Sequence, residues 1–318
     1  MGMLLQIFFL ILSFIVLYFG AEWTLNSAEK VGEFFDLSPL VIGLLIIGFG
    51  TSLPEFFVSH IAALSGHPEI ALGNVVGSNV ANLFLILGIS GLLVPLHVFK
   101  IEFRQQIFFH LSLTAALAIV LAQDFLTPWS SLGLFIFFIM YVYMSYKKMM
   151  QHKVTVPSEI GIVEIPPKSK RKPVSPVEFL RLIVGFVFLW GGGKLLVESG
   201  SKLGLMWGLS EYVISSFIVA LGTSFPELIT ALFACYKKKD TDLILGNIIG
   251  SNVFNVAFVL GSLGFYNIEL KPNFGMEMMI LFTGSLVLLG LALRKMNFFR
   301  TTGIFFLACY VGVVFYWL

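Results

Sequence analysis

GFGTSLPE at residues 48–55 returns as ALGTSFPE at residues 220–227, 172 positions further along the chain. A second motif follows each copy, reading GNVVGSNVAN at residues 73–82 and GNIIGSNVFN at residues 246–255. The chain therefore contains two related halves. All four motifs lie in long apolar segments, which indicates that the repeated unit crosses a membrane.

The composition supports a membrane protein. Of the 318 residues, 58% are hydrophobic and only 12% are charged, and the mean hydropathy is +0.93. Soluble domains have roughly half apolar and about a quarter charged residues. An ordinary cytosolic enzyme, a disordered chain and a disulfide scaffold are therefore excluded, the last because Cys235 and Cys309 are the only cysteines.

Ten apolar segments are close to the roughly 20 residues that a helix needs to cross hydrocarbon. They lie at 3–25, 39–65, 70–93, 105–122, 128–146, 177–201, 211–235, 243–264, 274–293 and 299–317. Five segments per half is an odd number, so the second half must enter the membrane in the opposite direction. We predict an all-α integral membrane protein with ten transmembrane helices arranged as two inverted five-helix repeats, residues 1–146 and 177–318. Residues 147–176 form a basic linker between them.

The distribution of lysine and arginine predicts the orientation. If the linker is cytoplasmic, 17 of the 20 basic residues face the cytoplasm, as the positive-inside rule expects. We therefore predict a multi-pass protein of the cell membrane with both termini on the extracellular or periplasmic side.

Glu55 and Glu227 are the strongest candidates for function. Each lies deep in an apolar segment, where a carboxylate costs roughly 3 kcal/mol or more, and the same acid occurs in both repeats. The prolines before them, Pro54 and Pro226, lack an N–H and predict a break in each helix. Carbonyl groups freed by such a break must meet water, protein or a cation.

Hydroxyl and amide side chains accompany the two glutamates. Thr51 and Ser52 precede Glu55 by four and three residues, so a helix would place all three on one face. In the second motifs, polar residues spaced by four share a face: Asn74, Ser78 and Asn82 in the first copy, and Asn247, Ser251 and Asn255 in the second. We predict that Ser78, Asn82, Ser251 and Asn255, near the depth of the glutamates, bind ions. We interpret Asn74, Asn79, Asn247 and Asn252 as packing residues.

All these candidate ligands are oxygen donors. Hard cations such as Ca²⁺ prefer such ligands, whereas zinc and copper prefer histidine or cysteine. Two carboxylates balance one Ca²⁺ or two monovalent ions, which is the basis for exchange at a shared site. An intramembrane enzyme is the least favoured class, because the motifs contain no nucleophile–base pair. His60, which aligns with Leu232, and His110 are interpreted as structural.

The duplicated motifs resemble those of the cation/calcium exchanger superfamily, specifically its sodium/calcium exchanger branch. The resemblance implies antiport of Na⁺ against Ca²⁺ by alternating access, in which the first and sixth helices slide across the other eight. It implies no cofactor, and Na⁺, Ca²⁺ and the lipid bilayer as partners, with no nucleic acid and a functional monomer. The implied ion ligands are Glu55, Glu227, Thr51, Thr223, Ser52, Ser224, Ser78, Ser251, Asn82, Asn255 and the carbonyls of Gly48 and Ala220.

One position departs from part of the family. Some prokaryotic and potassium-dependent relatives have aspartate where this chain has Asn255, so we predict transport that does not need K⁺. Because the neutral oxygens around the two carboxylates can hold more Na⁺ than is needed to balance one Ca²⁺, we also predict that transport is electrogenic. The alternative is a proton antiporter for Ca²⁺ or another divalent cation, although the many hydroxyls favour Na⁺. A cation channel is less favoured, because inverted repeats with broken helices suit alternating access.

Overall fold

The computed structural model describes residues 2–64, 66, 68–98, 100–152, 174–208, 222–266, 268–270 and 274–317. These residues form ten helices. They are α1 (Met3–Phe34), α2 (Pro39–Leu64), α3 (Pro68–Leu93), α4 (Ile101–Leu121), α5 (Pro128–His152), α6 (Pro176–Met206), α7 (Phe225–Tyr236), α8 (Thr241–Tyr266), α9 (Gly275–Leu293) and α10 (Arg300–Trp317). All of them except the 12-residue α7 are long and apolar enough to span a membrane.

Several helices extend beyond the apolar segments that predicted them. Helix α1 continues to Phe34 rather than ending near residue 25. Its last turns carry Glu29 and Lys30, which form ion pairs with Lys239 and Glu178. A helix needs only its backbone hydrogen bonds to continue, so charged residues outside the hydrocarbon can extend it.

Two predicted regions lie partly outside the described residues. Helix α5 continues to His152, into the predicted linker, and residues 153–173 of that linker are outside the described ranges. The predicted seventh span, 211–235, is described only from residue 222, and α7 begins at Phe225.

The contacts between helices follow the inverted repeat. Helix α1 packs on α6, and α4 packs on α9, so equivalent helices of the two halves meet. Helix α3 packs on α10, and α5 packs on α8, which is the same contact with the halves exchanged. The ten helices therefore form one molecule with two related, interlocking halves.

Two short backbone pairings repeat the same symmetry. Leu96 pairs with Phe298, and Phe125 pairs with Glu269. Glu269 and Phe298 are the repeat equivalents of Leu96 and Phe125, 173 residues further along. Because the halves are inverted, the two pairings lie at opposite ends of the helix bundle. Each pairing joins the two halves by backbone hydrogen bonds.

Helices α2 and α8 approach closely at the centre of the molecule. A Cβ atom added at Gly250 would lie 2.7 Å from the Cα of Leu44, and one at Gly246 would lie 3.0 Å from the Cα of Gly43. Only glycine permits this distance between two helix backbones. Gly246 and Gly250 therefore form a close-packing pair, and α8 is the most deeply buried of the described spans.

In the part of the chain that the structure describes, three stretches of π-helix occur near the centre of the spans. They cover Ile42–Ile47 in α2, Ala81–Ile86 in α3 and Phe254–Leu260 in α8. The last two are repeat equivalents and contain Asn82 and Asn255. Turns of π-helix interrupt regular backbone bonding and are frequent at functional sites. The amino-acid sequence does not predict these turns, because a π-helical turn does not change the pattern of apolar residues.

Candidate functional site

The two glutamates occupy the same position in two broken helices. In α2 the break falls at Ser52, where φ and ψ are −87° and 6°. In the second half it falls at Ser224, where they are −87° and 7°. Glu55 and Glu227 then lie in the first turn of the helical segment that follows. The positive end of each segment's dipole therefore faces its own carboxylate.

Each glutamate is bonded by the serine of the opposite repeat. Ser52 Oγ donates to Glu227 Oε1 at 2.9 Å, and Ser224 Oγ donates to Glu55 Oε1 at 3.3 Å. The crossed pattern brings the two motifs face to face at the centre of the molecule. Both carboxylates are completely buried and interact electrostatically with each other.

A second crossed pair joins the threonines to the first asparagine of each stripe. Thr51 Oγ1 donates to Asn247 Oδ1 at 3.3 Å, and Thr223 Oγ1 donates to Asn74 Oδ1 at 3.1 Å. Asn74 Nδ2 also donates to the carbonyl oxygen of Glu55 at 3.1 Å. The packing interpretation of Asn74 and Asn247 is therefore incomplete, since both lie beside the candidate ligands.

The remaining candidate ligands lie around Glu227 and between α3 and α8. Ser251 Oγ is 3.3 Å from Glu227 Oε1 and 3.2 Å from the carbonyl oxygen of Gly48. Asn255 Nδ2 donates to Ser78 Oγ at 3.1 Å. Ser78, Asn82, Ser251 and Asn255 are all buried. Ala220, the expected counterpart of Gly48, lies outside the described residues.

Several buried oxygen atoms in this region have no hydrogen-bond partner among the described residues. They are Oε2 of Glu55, Oε2 of Glu227, Oδ1 of Asn82 and Oδ1 of Asn255. Buried polar atoms are nearly always satisfied in folded proteins. Four unsatisfied acceptors at the depth of two carboxylates therefore point to a positively charged occupant.

The described residues provide no protein cation for these acceptors. Within those ranges neither Glu55 nor Glu227 forms an ion pair with lysine or arginine. In the same part of the chain no cluster of three histidine, cysteine, aspartate or glutamate side chains occurs. The donor set consists of two carboxylates with hydroxyl, amide and carbonyl oxygens, which fits Ca²⁺ and Na⁺ as substrates.

Other polar residues of interest lie away from this site. Lys194 Nζ is 3.8 Å from Glu198 Oε1, so these two side chains form an ion pair on α6. His60 bonds the carbonyl of Phe56 at 2.9 Å and packs on its ring, as a structural histidine would. His110 bonds residues of two neighbouring helices.

Comparisons with known proteins agree with this geometry. The family model described as sodium/calcium exchanger protein matches residues 5–147 and 177–318. An uncharacterized membrane protein of Methanocaldococcus jannaschii is 32% identical over 97% of each chain. The putative antiporter CaxA of Alkalimonas amylolytica is 31% identical over 81% of this chain and 80% of its own.

A solved structure gives the same result for the fold. A structure of the sodium-calcium exchanger NCX_Mj matches with a TM-score of 0.82 and 29% identity, covering 98% of this chain and 97% of that one. The duplicated motifs, the inverted ten-helix architecture and the family match together identify a multi-pass membrane transporter for cation/Ca²⁺ antiport. The chain belongs to the sodium/calcium exchanger family.

Proposed function

We propose that this protein exchanges Na⁺ for Ca²⁺ by alternating access, that the exchange is electrogenic, and that it does not need K⁺. The observation that carries the proposal is the pair of buried glutamates. Each has one oxygen bonded to a serine of the opposite repeat and one oxygen that has no partner within the described ranges. Such a site is incomplete without cations and is open to either ion.

The ligand set proposed for the two ions contains every candidate from the sequence. Its members are Glu55, Glu227, Thr51, Thr223, Ser52, Ser224, Ser78, Ser251, Asn82, Asn255, Gly48 and Ala220. Ca²⁺ accepts six to eight oxygen ligands in a flexible geometry. Na⁺ is satisfied by fewer and by neutral oxygens, so several Na⁺ can divide the set that one Ca²⁺ would gather.

Exchange follows from charge and burial. Two carboxylates in a water-poor site repel each other and lack solvation, so the empty site is unfavourable. Binding of Ca²⁺ or of Na⁺ removes that penalty, and the two states exclude each other because they use the same oxygens. Because the empty site is unfavourable, Ca²⁺ leaves it only when Na⁺ replaces it, and the reverse. This requirement couples the transport of Ca²⁺ in one direction to the transport of Na⁺ in the other.

The moving part proposed for alternating access is the pair formed by α1 and α6. These are the longest helices among the described residues, with 32 and 31 residues, and they pack on each other. The ion site is built instead from α2, α3, α7 and α8. Displacement of the α1–α6 pair would therefore change access to the site without dismantling it.

Independence from K⁺ is proposed from Asn255. Its side chain is fully buried and donates from Nδ2 to Ser78, and an amide adds no charge to the site. With only two fixed negative charges, one Ca²⁺ already neutralises the site. No further monovalent cation is required for charge balance.

The decisive experiment uses purified protein in liposomes. Na⁺ loaded inside should drive uptake of ⁴⁵Ca, at the same rate with or without K⁺ on both sides. A pH gradient alone, with Na⁺ absent, should drive none. Uptake driven by the pH gradient would support the proton/Ca²⁺ alternative, and uptake only with K⁺ would contradict the role given to Asn255.

A further inference from the structure

His110 is a buried imidazole in the middle of α4 that lies outside the proposed ligand set. Its side chain is 3% exposed. Nδ1 lies 2.9 Å from Ser285 Oγ on α9, and Nε2 lies 3.0 Å from Asn252 Nδ2 on α8. One side chain therefore connects three helices at the depth of the ion site.

The serine side fixes which ring nitrogen carries the hydrogen. Ser285 Oγ lies 2.7 Å from the carbonyl oxygen of Leu281, to which it donates its single hydrogen. Towards His110 the hydroxyl can then act only as an acceptor. Nδ1 of His110 must be the donor, and a neutral imidazole protonated at Nδ1 has Nε2 as an acceptor.

The asparagine side leads independently to the same tautomer. Asn252 Nδ2 also lies 3.4 Å from the carbonyl oxygen of Asn79 on α3. A carbonyl only accepts, so the amide nitrogen, and not the amide oxygen, faces Asn79 and His110. Its two hydrogens are directed at the Asn79 carbonyl and at His110 Nε2, which again requires that Nε2 carries no hydrogen.

This arrangement occurs in one repeat only. Thr283 is the repeat equivalent of His110, and its hydroxyl bonds the carbonyl of Met279 within its own helix at 2.8 Å. Asn79 is the equivalent of Asn252, and its amide bonds Val75 in its own helix at 2.7 Å. The Asn252 side chain therefore joins α8 to α4, whereas among the described residues the equivalent Asn79 side chain bonds only within α3.

We propose that His110 is a positioning residue for the α8 half of the ion site, with no contact to the ions themselves. Asn252 lies directly after Ser251 and three residues before Asn255, which carry candidate oxygen ligands. A neutral Nδ1–H imidazole holds the Asn252 amide, and thereby the rotation of α8 that directs Ser251 towards Glu227. The proposal rests on the proposed function, because it assigns a role at the same site.

The tautomer is tested first, by ¹⁵N NMR of the unmodified protein labelled on histidine. The signal of His110 is identified as the one missing from His110→Gln. We expect a neutral ring at near-neutral pH, with hydrogen on Nδ1 and none on Nε2. A ring protonated at Nε2, or at both nitrogens, would overturn the proposal whether or not the protein transports Ca²⁺.

Two substitutions then separate the two ring nitrogens. In His110→Gln, the amide is long enough to present an acceptor to Asn252 where Nε2 was. In His110→Asn, the shorter side chain places its amide at the position of Nδ1. It can therefore donate to Ser285 but cannot reach Asn252. In the asparagine variant the Asn252 amide therefore loses its bond to residue 110. We expect the Ca²⁺ dissociation constant, measured by calorimetry with CaCl₂ in Na⁺-free buffer, to rise about fivefold or more. The glutamine variant should bind within about twofold of the parent.

The matched control is Thr283→Ala, which alters the equivalent position of the other repeat and should leave the Ca²⁺ dissociation constant unchanged. Equal binding by parent and His110→Asn would refute the positioning role, as would equal weakening in both His110 variants. Failure of the parent to take up Ca²⁺ in a Na⁺ gradient would instead count against the proposed function. The calorimetric and NMR results would still decide the role of His110.

Discussion

Glu55 and Glu227 are the two residues on which the proposed ion site depends most. In each glutamate, Oε1 accepts a hydrogen bond from the serine hydroxyl of the opposite repeat, while Oε2 is buried without a partner among the described residues. The bonded oxygen fixes the position of the carboxylate. The other oxygen supplies negative charge to the interior, where it is worth more than in water.

Replacement of either acid by its amide should stop exchange. Glu55→Gln or Glu227→Gln removes half of the fixed charge and places an amide N–H donor where a cation needs an acceptor. We expect Na⁺-driven ⁴⁵Ca uptake to fall at least about tenfold in each variant. Glu198→Gln, which alters an exposed acid paired with Lys194, serves as the control. Near-normal uptake by either site variant would show that the carboxylates are not ion ligands.

Residue types alone could predict part of this site. The cost of a buried carboxylate identified Glu55 and Glu227, and a spacing of four placed Ser78 and Asn82 on one face. The crossed bonds from Thr51 and Thr223 to Asn247 and Asn74 were not predictable, since they depend on how two helices from different repeats meet. A periodic pattern describes one helix at a time and cannot give the partner across an interface.

At the scale of helices, the site depends on how closely α2 and α8 approach. Gly246 and Gly250 allow the backbone of α2 to lie against α8. This contact brings Thr51 and Gly48 of α2 to Ser251 of α8. The positions of the helices could be predicted from apolar length, and the break before each glutamate from proline. The π-helical turns could not, because a π-helical turn does not alter the pattern of apolar residues.

Alanine at Gly250 should separate these two helices. Its Cβ atom would overlap the backbone of Leu44, which cannot move aside as a flexible side chain would. We expect the substitution to cost about 1–3 kcal/mol of stability and to lower the melting temperature in detergent together with the rate of exchange. Gly290→Ala is the matched control, because no described atom lies within 4 Å of the Cβ it would add. Equal melting temperatures for the two variants would contradict the close contact.

At the scale of the whole molecule, the orientation follows from the basic residues and stays a prediction. Positive charge concentrates on one side of the ten spans, which would place residues 147–176 in the cytoplasm and both termini outside. The two halves, 1–146 and 177–318, would then be inserted in opposite directions. In the proposed alternating-access cycle, this inversion would make the site accessible in turn from each side through equivalent parts of the two repeats.

Cysteine labelling should reveal this orientation. With Cys235 and Cys309 replaced by alanine, Arg294→Cys should be protected from a membrane-impermeant maleimide in intact cells, and Lys202→Cys should react. Both should react after permeabilisation. Both positions are exposed, so a difference between them reports the side of the membrane. The reverse pattern would invert the proposed orientation while leaving the inverted repeat intact.

The final prediction concerns charge movement by the molecule as a whole. Two carboxylates balance one Ca²⁺, yet the neutral hydroxyl, amide and carbonyl oxygens around them can hold more Na⁺ than charge balance requires. If more than two Na⁺ leave a vesicle for each Ca²⁺ that enters, net positive charge moves outward. An inside-positive potential should then accelerate ⁴⁵Ca uptake and an inside-negative potential should slow it.

The driving force available is about 2.3 kcal/mol for each elementary charge per 100 mV. The measurement is Na⁺-driven uptake into liposomes whose potential is clamped by valinomycin and chosen K⁺ gradients. Glu55→Gln liposomes report any leak that depends on potential alone, and equal K⁺ on both sides gives the reference at zero potential. Uptake at the same rate under both polarities would mean that two Na⁺ balance each Ca²⁺. In that case the neutral oxygens serve to bind these two ions tightly and do not admit a third.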